Sequence, residues 1–143
     1  MNSDLYKENI LNHFRHPKNF GDLPGANAQS RESNVLCGDV VEMKLKIDHG
    51  RIVDIMFRGQ GCAISQASAS MLTVFSKGKT LDEVTRLRRK EVIDLIGTDP
   101  GQARIECALL SLRVLKQAIF AYQGKLVSEE LSLPASDVAG AEL

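Results

Sequence analysis

The sequence lacks several features that would define a compartment or a class of partner. No apolar stretch of the 143-residue chain approaches transmembrane length, and the first residues have neither the charged start nor the long apolar run of a signal peptide. Lysine plus arginine equal aspartate plus glutamate at 18 each, so no excess charge indicates nucleic acid or an anionic membrane as a partner. We therefore expect a cytoplasmic protein that binds neither nucleic acid nor membranes.

Cysteine is also scarce, with three residues and no CxxC pair. An odd count in a reducing compartment disfavours a disulfide framework and leaves metal binding, thiol chemistry or plain burial as interpretations. Taken alone, each cysteine has an ordinary explanation, because free cysteine is among the most buried residue types. A shared site would require the fold to bring Cys37, Cys62 and Cys107 together from separate elements.

The composition is typical of one domain, since 43% hydrophobic residues are enough for a single modest core. We place this domain at residues 1–123. Residues 124–143 show no firm hydrophobic period, so we expect a mobile C-terminal tail there.

Four segments have the apolar spacing of helices. A capping-box sequence from Thr80 to Glu83 marks the start of the third. The glycine-, asparagine- and serine-rich stretch at 21–34 is expected to be a loop with one short edge strand near 26–31. The predicted helices lie at residues 5–14, at 63–77, from 80 onward, and at 104–122.

Two sets of polar residues are interpreted as ordinary surface. The basic run at residues 86–90 is most simply a solvated face, with docking of an acidic partner as the alternative. The histidines, His13, His16 and His49, are expected to be exposed residues without a role in the site.

A β-hairpin is the clearest local pattern. Apolar and polar residues alternate from Val41 to Ile47 and again from Val53 to Phe57, with Gly50 at the turn. A three-residue loop pairs Ile47 with Val53 and gives one continuous apolar face, whereas a two-residue turn leaves neither face uniformly apolar. We therefore predict the longer loop.

The same register predicts a cluster of ligands. Continued backward, it sets Cys37 opposite Ala63, and so within one residue of Cys62, across strands about 4.8 Å apart. Asp39 has the parity of Cys37 and points to the same side, provided that the strand continues and that no bulge intervenes. Cys62 also lies at a helix N-terminus, which suits a metal ligand or a nucleophile. Only packing of the last helix can deliver Cys107.

Several motifs together carry a resemblance to a known family. They are Leu-Tyr-Lys at 5–7 with His-Pro-Lys-Asn at 16–19, Cys-Gly-Asp at 37–39, Gly-Cys-Ala-Ile-Ser-Gln-Ala-Ser-Ala-Ser at 61–70, and Ala-Arg-Ile-Glu-Cys at 103–107. In this order, over about residues 4–122, the chain resembles the U-type iron-sulfur cluster assembly scaffolds.

The resemblance implies an α+β fold, with helices packed on an antiparallel three-stranded sheet and a metal or cluster site at one end. It implies that Cys37, Cys62 and Cys107 hold a transient two-iron two-sulfur cluster or a zinc ion, with Asp39 as the oxygen ligand or the residue that keeps the cluster labile. Such a protein is a scaffold and not an enzyme. Its implied partners are a cysteine desulfurase, an iron donor and apo-protein acceptors, and Cys37 and Cys107 are the candidate persulfide acceptors.

Two other functions suit the same residues, because thiolates bind both iron clusters and zinc. One is a zinc-dependent sulfurtransferase that accepts persulfide sulfur from a SUF-type cysteine desulfurase. The other is a domain with structural zinc, which predicts that chelation unfolds the protein. The apolar pattern argues against the structural zinc, because the hairpin and the long helix can form a core without metal.

The sequence departs from the family in ways that bear on its branch. The branch served by a dedicated chaperone has a histidine before the last cysteine and a Leu-Pro-Pro-Val-Lys segment upstream, where this chain has Glu106 and residues 100–104. Partnership with that chaperone is therefore not predicted. Residues 64–70 are similar to the SUF-type branch, yet the insertion typical of that branch is absent. Glu106 is a weak alternative ligand, because a helical wheel places it at the rim while Cys107 faces inward.

Overall fold

A three-stranded antiparallel sheet, in the order β1-β2-β3, organises the protein. The computed structural model describes residues 3–131. Helices pack on the sheet, which confirms the predicted α+β class. The elements are α1 (Ser3–Arg15), β1 (Ala28–Asn34), β2 (Asp39–Asp48), β3 (Arg51–Gln60), α2 (Ala63–Ser76), α3 (Leu81–Thr85), α4 (Arg89–Ile96) and α5 (Ile105–Leu131).

The turn of the β2–β3 hairpin is shorter than predicted. Asp48 pairs with Arg51, which leaves a two-residue turn of His49 and Gly50. Both turn residues have positive φ, 51° and 71°. This conformation matches the right-handed twist of the flanking strands, whereas two-residue turns of types I and II splay the strands. The predicted three-residue loop is therefore wrong.

A bulge next to the turn restores the predicted apolar face. Ile47 pairs with the fully buried Ile52, and the strand register shifts at this point. Val53 becomes the extra residue and is 43% exposed, so its predicted pairing with Ile47 is wrong. One added residue reverses the side on which the following side chains point. Beyond the bulge the predicted pairs form: Leu45 with Ile55 and Met43 with Phe57.

Helices α2 and α5 cover one face of the sheet, and α1 and α4 pack against α2 from outside. Because α2 has neighbours on several sides, its small polar residues are buried along with its apolar ones. Ser68, for example, donates a hydrogen bond to the carbonyl of Ala108 at 2.8 Å, which ties α2 to α5. The buried strand residues in this core include Val41, Met43, Leu45, Ile55 and Phe57.

The segment after α2 contains two short helices where one was predicted. The capping box forms as expected: the Glu83 amide donates to the Thr80 hydroxyl at 3.1 Å, and the Thr80 amide donates to the Glu83 carboxylate at 3.2 Å. A separate α4 follows and ends at Gly97, whose φ is 84°. The four basic residues at 86–90 are exposed, as interpreted.

The last helix is longer than predicted. It continues past the expected end at Tyr122 to Leu131, so residues 124–131 are helical and the domain boundary drawn at 123 falls inside α5. A single glycine at 124 costs a helix only about 1 kcal/mol relative to alanine, so it need not end the helix. Residues 132–143 lie outside the described residues, and the mobile tail stays a prediction. None of the described helices has the length and apolarity needed to span a membrane.

His13 is partly buried, in contrast to the expected exposure. Its Nδ1 lies 2.7 Å from the Ser70 hydroxyl, which also accepts a hydrogen bond from the Lys18 amide at 2.8 Å. Burial, and then the positive charge of Lys18, lower the pKa of His13 below its ordinary value of 6.5. His16 and His49 are exposed, as expected.

The lowered pKa of His13 predicts a loss of stability in acid. The unfolded chain protonates His13 at higher pH than the folded protein does. The stability that neutral His13 contributes is therefore complete above about pH 6.5, and it is lost as the pH falls through the pKa of His13 in the folded protein. The effect should be less than about 1 kcal/mol, because the ring is partly solvated. Urea unfolding between about pH 7.5 and pH 5 should show a weaker pH dependence for His13→Gln than for wild type.

The exposed His16 provides the control, since His16→Gln should follow the wild-type pH profile. Identical profiles for His13→Gln and wild type would contradict the assignment.

Candidate metal centre

Four segments meet at one end of the sheet. Cys37 lies in the turn at residues 35–38, and Asp39 is the first residue of β2. Cys62 directly precedes α2, and Cys107 is in the first turn of α5. The N-termini of two helices therefore adjoin the site, and each favours negative charge nearby.

Three of the predicted ligands form a compact group. One ligand atom each from Cys37, Asp39 and Cys107 lies within 4.8 Å of the others. Asp39 and Cys107 are buried, and Cys37 is half-buried. Thiolate sulfur with one carboxylate oxygen is a donor set that suits iron or zinc.

Cys37 and Cys107 are joined by a disulfide, with their Cα atoms 6.6 Å apart. The cysteine count disfavoured such pairing, and no local motif signals a bridge between residues 70 positions apart. The fold brings the two Cα atoms within the span of a disulfide. Metal binding requires both sulfurs as thiolates, so a metal-binding form of this group is the reduced one.

Cys62 joins the group through Asp39. The Cys62 amide donates to Asp39 Oδ1 at 2.7 Å, and the Cys62 thiol lies 3.6 Å from Asp39 Oδ2. Asp39 is 1% exposed, and within the described residues no lysine, arginine or histidine forms an ion pair with it. A buried carboxylate normally pairs with a cation or coordinates a metal. The surroundings of Asp39 therefore fit a metal or cluster at this position.

The route by which Cys37 reaches the site differs from the prediction. β2 begins at Asp39, so Cys37 is not in the strand and does not lie opposite Ala63. It belongs to the tight turn that connects β1 to β2, where the Asn34 side chain accepts hydrogen bonds from the amides of Leu36 and Cys37 at 3.1 and 3.4 Å. These hydrogen bonds to the Asn34 side chain take the place of the backbone hydrogen bonds that a continued strand would make.

Two polar residues that the sequence patterns did not single out hold Cys62. The Ser65 amide donates to the Cys62 sulfur at 3.5 Å, and the Ser65 hydroxyl donates to the Cys62 carbonyl at 3.1 Å. The buried Gln66 donates to the Ser65 hydroxyl at 2.9 Å. The spacing of Cys62 and Ser65 is that of a helix N-cap and its third residue, so a signal was present in the sequence.

Gly61 was also missed as a structural requirement. Its φ is +137°, a conformation that L side chains rarely adopt, and a Cβ there would collide with the carboxylate and the Cα of Asp39. The backbone approaches Asp39 so closely that only glycine fits. Gly61 therefore permits the hydrogen bond between Asp39 and Cys62.

The last helix places its two candidate ligands as the wheel predicts. Cys107 is fully buried, whereas Glu106 points away and pairs with Arg113 at 3.0 Å. Glu106 is not part of the group formed by Cys37, Asp39 and Cys107.

The fold and the site together define a small α+β protein with a group of cysteines and one buried aspartate at one end of its sheet. The family described as NifU-like N terminal domain matches residues 5–129. The chain belongs to this family.

Curated relatives extend the match over most of the chain. The iron-sulfur cluster assembly scaffold protein IscU 1 of Archaeoglobus fulgidus is 34% identical over 118 residues, covering 82% of this chain and 76% of that protein. The iron-sulfur cluster assembly scaffold protein IscU of Haemophilus influenzae is 30% identical over 129 residues, covering 84% and 97%.

A solved structure shares the fold. It is described as a putative iron-sulfur cluster assembly scaffold protein for the SUF system from Fervidobacterium islandicum, with a TM-score of 0.71 and 27% identity. The match covers 82% of this chain and 99% of that one.

Proposed function

We propose that this protein is a scaffold, and not an enzyme, on which an iron-sulfur cluster is assembled and from which it passes to apo-proteins. The observation that carries the proposal is the meeting of three cysteines and a buried aspartate at one end of the sheet, where no cation from the described residues pairs with the aspartate. The names of the curated relatives support it, since both are called iron-sulfur cluster assembly scaffolds.

The proposed ligands are Cys37, Asp39, Cys62 and Cys107, and the proposed cargo is a two-iron two-sulfur cluster. Three thiolates bind the irons firmly, whereas a carboxylate is a harder and more exchangeable ligand. Asp39 also holds the Cys62 amide and lies against the Cys62 thiol. Asp39 therefore connects Cys62 with Cys37 and Cys107. It is also the ligand that a departing cluster exchanges most easily.

Sulfur is proposed to arrive as a persulfide from a cysteine desulfurase, and Cys37 is the better placed acceptor. It is half-buried beside the nearly fully exposed Val35 and Leu36, whereas Cys107 is fully buried. In the reduced protein, in which a phosphine or thiol has cleaved the Cys37–Cys107 disulfide, the Cys37 thiolate would attack the outer sulfur of the donor persulfide. The donor S–S bond breaks, the donor cysteine leaves as a thiolate, and Cys37 carries the new persulfide, with no net redox change.

The protein is proposed to work in the cytoplasm, where an iron donor supplies it and apo-proteins accept the cluster. It is proposed to bind no nucleic acid, no membrane and no dedicated chaperone.

Anaerobic reconstitution tests the scaffold. The full chain, purified without added zinc and reduced with a phosphine, is supplied with iron and sulfide. Absorption spectra and metal analysis should show a cluster that transfers to an apo-ferredoxin. A variant with all three cysteines changed to serine is the control and should hold none. Failure of the reduced wild type to form a transferable cluster would overturn the proposal.

A zinc-dependent sulfurtransferase is the second candidate, favoured by the structural match to a protein of the SUF system. It predicts zinc that survives purification, no reconstitution with iron and sulfide, and strong stimulation of desulfurase turnover. The same preparation therefore separates the two functions, because each predicts a different resting metal.

A further inference from the structure

A groove with four positively charged side chains lies between the start of α4 and α5. Its volume is about 410 Å³. The chain as a whole has a formal net charge of zero, so this concentration of positive charge is local. We call it the basic groove. Its lining residues are Arg88, Arg89, Leu109, Leu112, Arg113 and Lys116.

Among the described residues, most of these charges form no ion pair. Arg113 pairs with Glu106, but Arg88, Arg89 and Lys116 form no ion pair within the part of the chain that the structure describes. Burial, and then the positive charge of Arg88, lower the pKa of Lys116, and the negative charge of Glu91 opposes this shift only in part. Like charges held this close repel one another, and a bound anionic group would relieve the repulsion.

The floor of the basic groove is apolar. Leu109 and Leu112 lie one turn apart on α5, where residues three apart share a face, and Lys116 follows on the next turn. Leu109 is half-buried, and Leu112 is buried. An occupant that fills the groove must therefore offer apolar groups to the floor as well as anionic groups to the rim.

This combination favours a protein segment over nucleic acid. Single-stranded nucleic acid stacks on aromatic side chains, and duplexes require a long basic track. None of the six lining residues is aromatic, and the positive charge is confined to one short groove. An acidic amphipathic segment meets both requirements, with carboxylates at the rim and apolar side chains on the floor.

We propose that the basic groove is the docking site for an acidic amphipathic segment of a partner protein. The groove is lined by residues at the start of α4 and on α5, and none of the four candidate ligands is among its lining residues. The proposal does not depend on which metal or cluster the cysteines hold.

Fluorescence anisotropy with a defined probe tests the docking. The probe is a labelled 15-residue peptide with leucines at helical spacing and glutamates elsewhere. It should bind the full chain, and Arg88→Glu with Lys116→Glu should weaken binding at least about tenfold. Leu109→Gln should also weaken binding, because the floor loses its apolar contact. Thermal melting confirms that each variant is folded.

Arg86→Glu is the matched control. Arg86 is an exposed arginine of the same basic run that pairs with Asp82 and does not line the groove. This change should alter the affinity by no more than about twofold. Equal losses for Arg86→Glu and the groove variant would mean unspecific attraction and would overturn the proposal. Tighter binding of a 15-nucleotide RNA than of the peptide, or no peptide binding at low salt, would also overturn it.

Discussion

Replacing Gly61 with alanine should lower the free energy of unfolding by about 2 to 4 kcal/mol, one of the two largest effects we expect in this protein. The φ of +137° is unfavourable for any L side chain, and the new methyl group would collide with the Asp39 carboxylate and Cα. Relief requires Asp39 to move away from the Cys62 amide. Urea unfolding measures the loss, and a zinc titration of the reduced protein should show weaker binding.

Gly25 separates the collision from the backbone strain. Its φ is +84°, and a Cβ there would meet nothing within 4 Å. Gly25→Ala should therefore cost only the strain of the left-handed conformation, about 1 kcal/mol, and leave zinc binding unchanged. If Gly61→Ala were no more destabilising than Gly25→Ala, the close approach to Asp39 would be refuted.

Replacing Asp39 with alanine should slow cluster transfer to an apo acceptor on the order of tenfold, the size typical of changes around a metal site. The exchangeable carboxylate through which we propose release would be absent, leaving the three thiolates. Circular dichroism of the cluster during transfer to apo-ferredoxin measures the rate. Unchanged transfer kinetics would refute the role of Asp39.

Asp39→Asn separates ligation from folding. The amide oxygen can still accept the hydrogen bond from the Cys62 amide, but an amide is a poorer ligand than a carboxylate. Both variants should slow transfer, whereas only Asp39→Ala should lose about 1 to 3 kcal/mol of stability, because the Cys62 amide then lacks its acceptor. If both variants lost the same stability, the slower transfer would be attributed to local unfolding and not to loss of the carboxylate ligand.

Most helices and strands were predicted correctly because alternation and capping act between residues that are close in the chain. Alternation from Val41 to Ile47 predicts a half-buried strand, and the Thr80 capping box forms as expected. The predicted hairpin turn was wrong because two different combinations produce the same apolar face. A three-residue loop and a two-residue turn with a bulge both align Leu45 with Ile55, and only the positive φ of His49 and Gly50 selects the second.

The sequence likewise indicated the ligands of the candidate site but not the contacts that hold them. The motifs around Cys37, Asp39, Cys62 and Cys107 are local in the chain, and they indicate all four residues as candidate ligands. The supporting contacts were not evident, because they depend on distances between segments. Gly61 is required because its φ is +137° and because Asp39 lies directly against it, and both are set by the tertiary structure.

The order and spacing of residues thus determined the helices, the strands of the hairpin and the helix that starts after Cys62, since propensity, capping and alternation act over a few residues. The motifs, through the family that they resemble, implied the α+β class and the set of cysteine and aspartate ligands. Tertiary structure decided the rest. It carried Cys37 into the site through the β1–β2 turn and brought Cys107 to it by packing α5 on the sheet. It also gathered the charges of α4 and α5 into one groove. These contacts join residues far apart in the chain, where burial of a common core, and not local preference, sets the geometry.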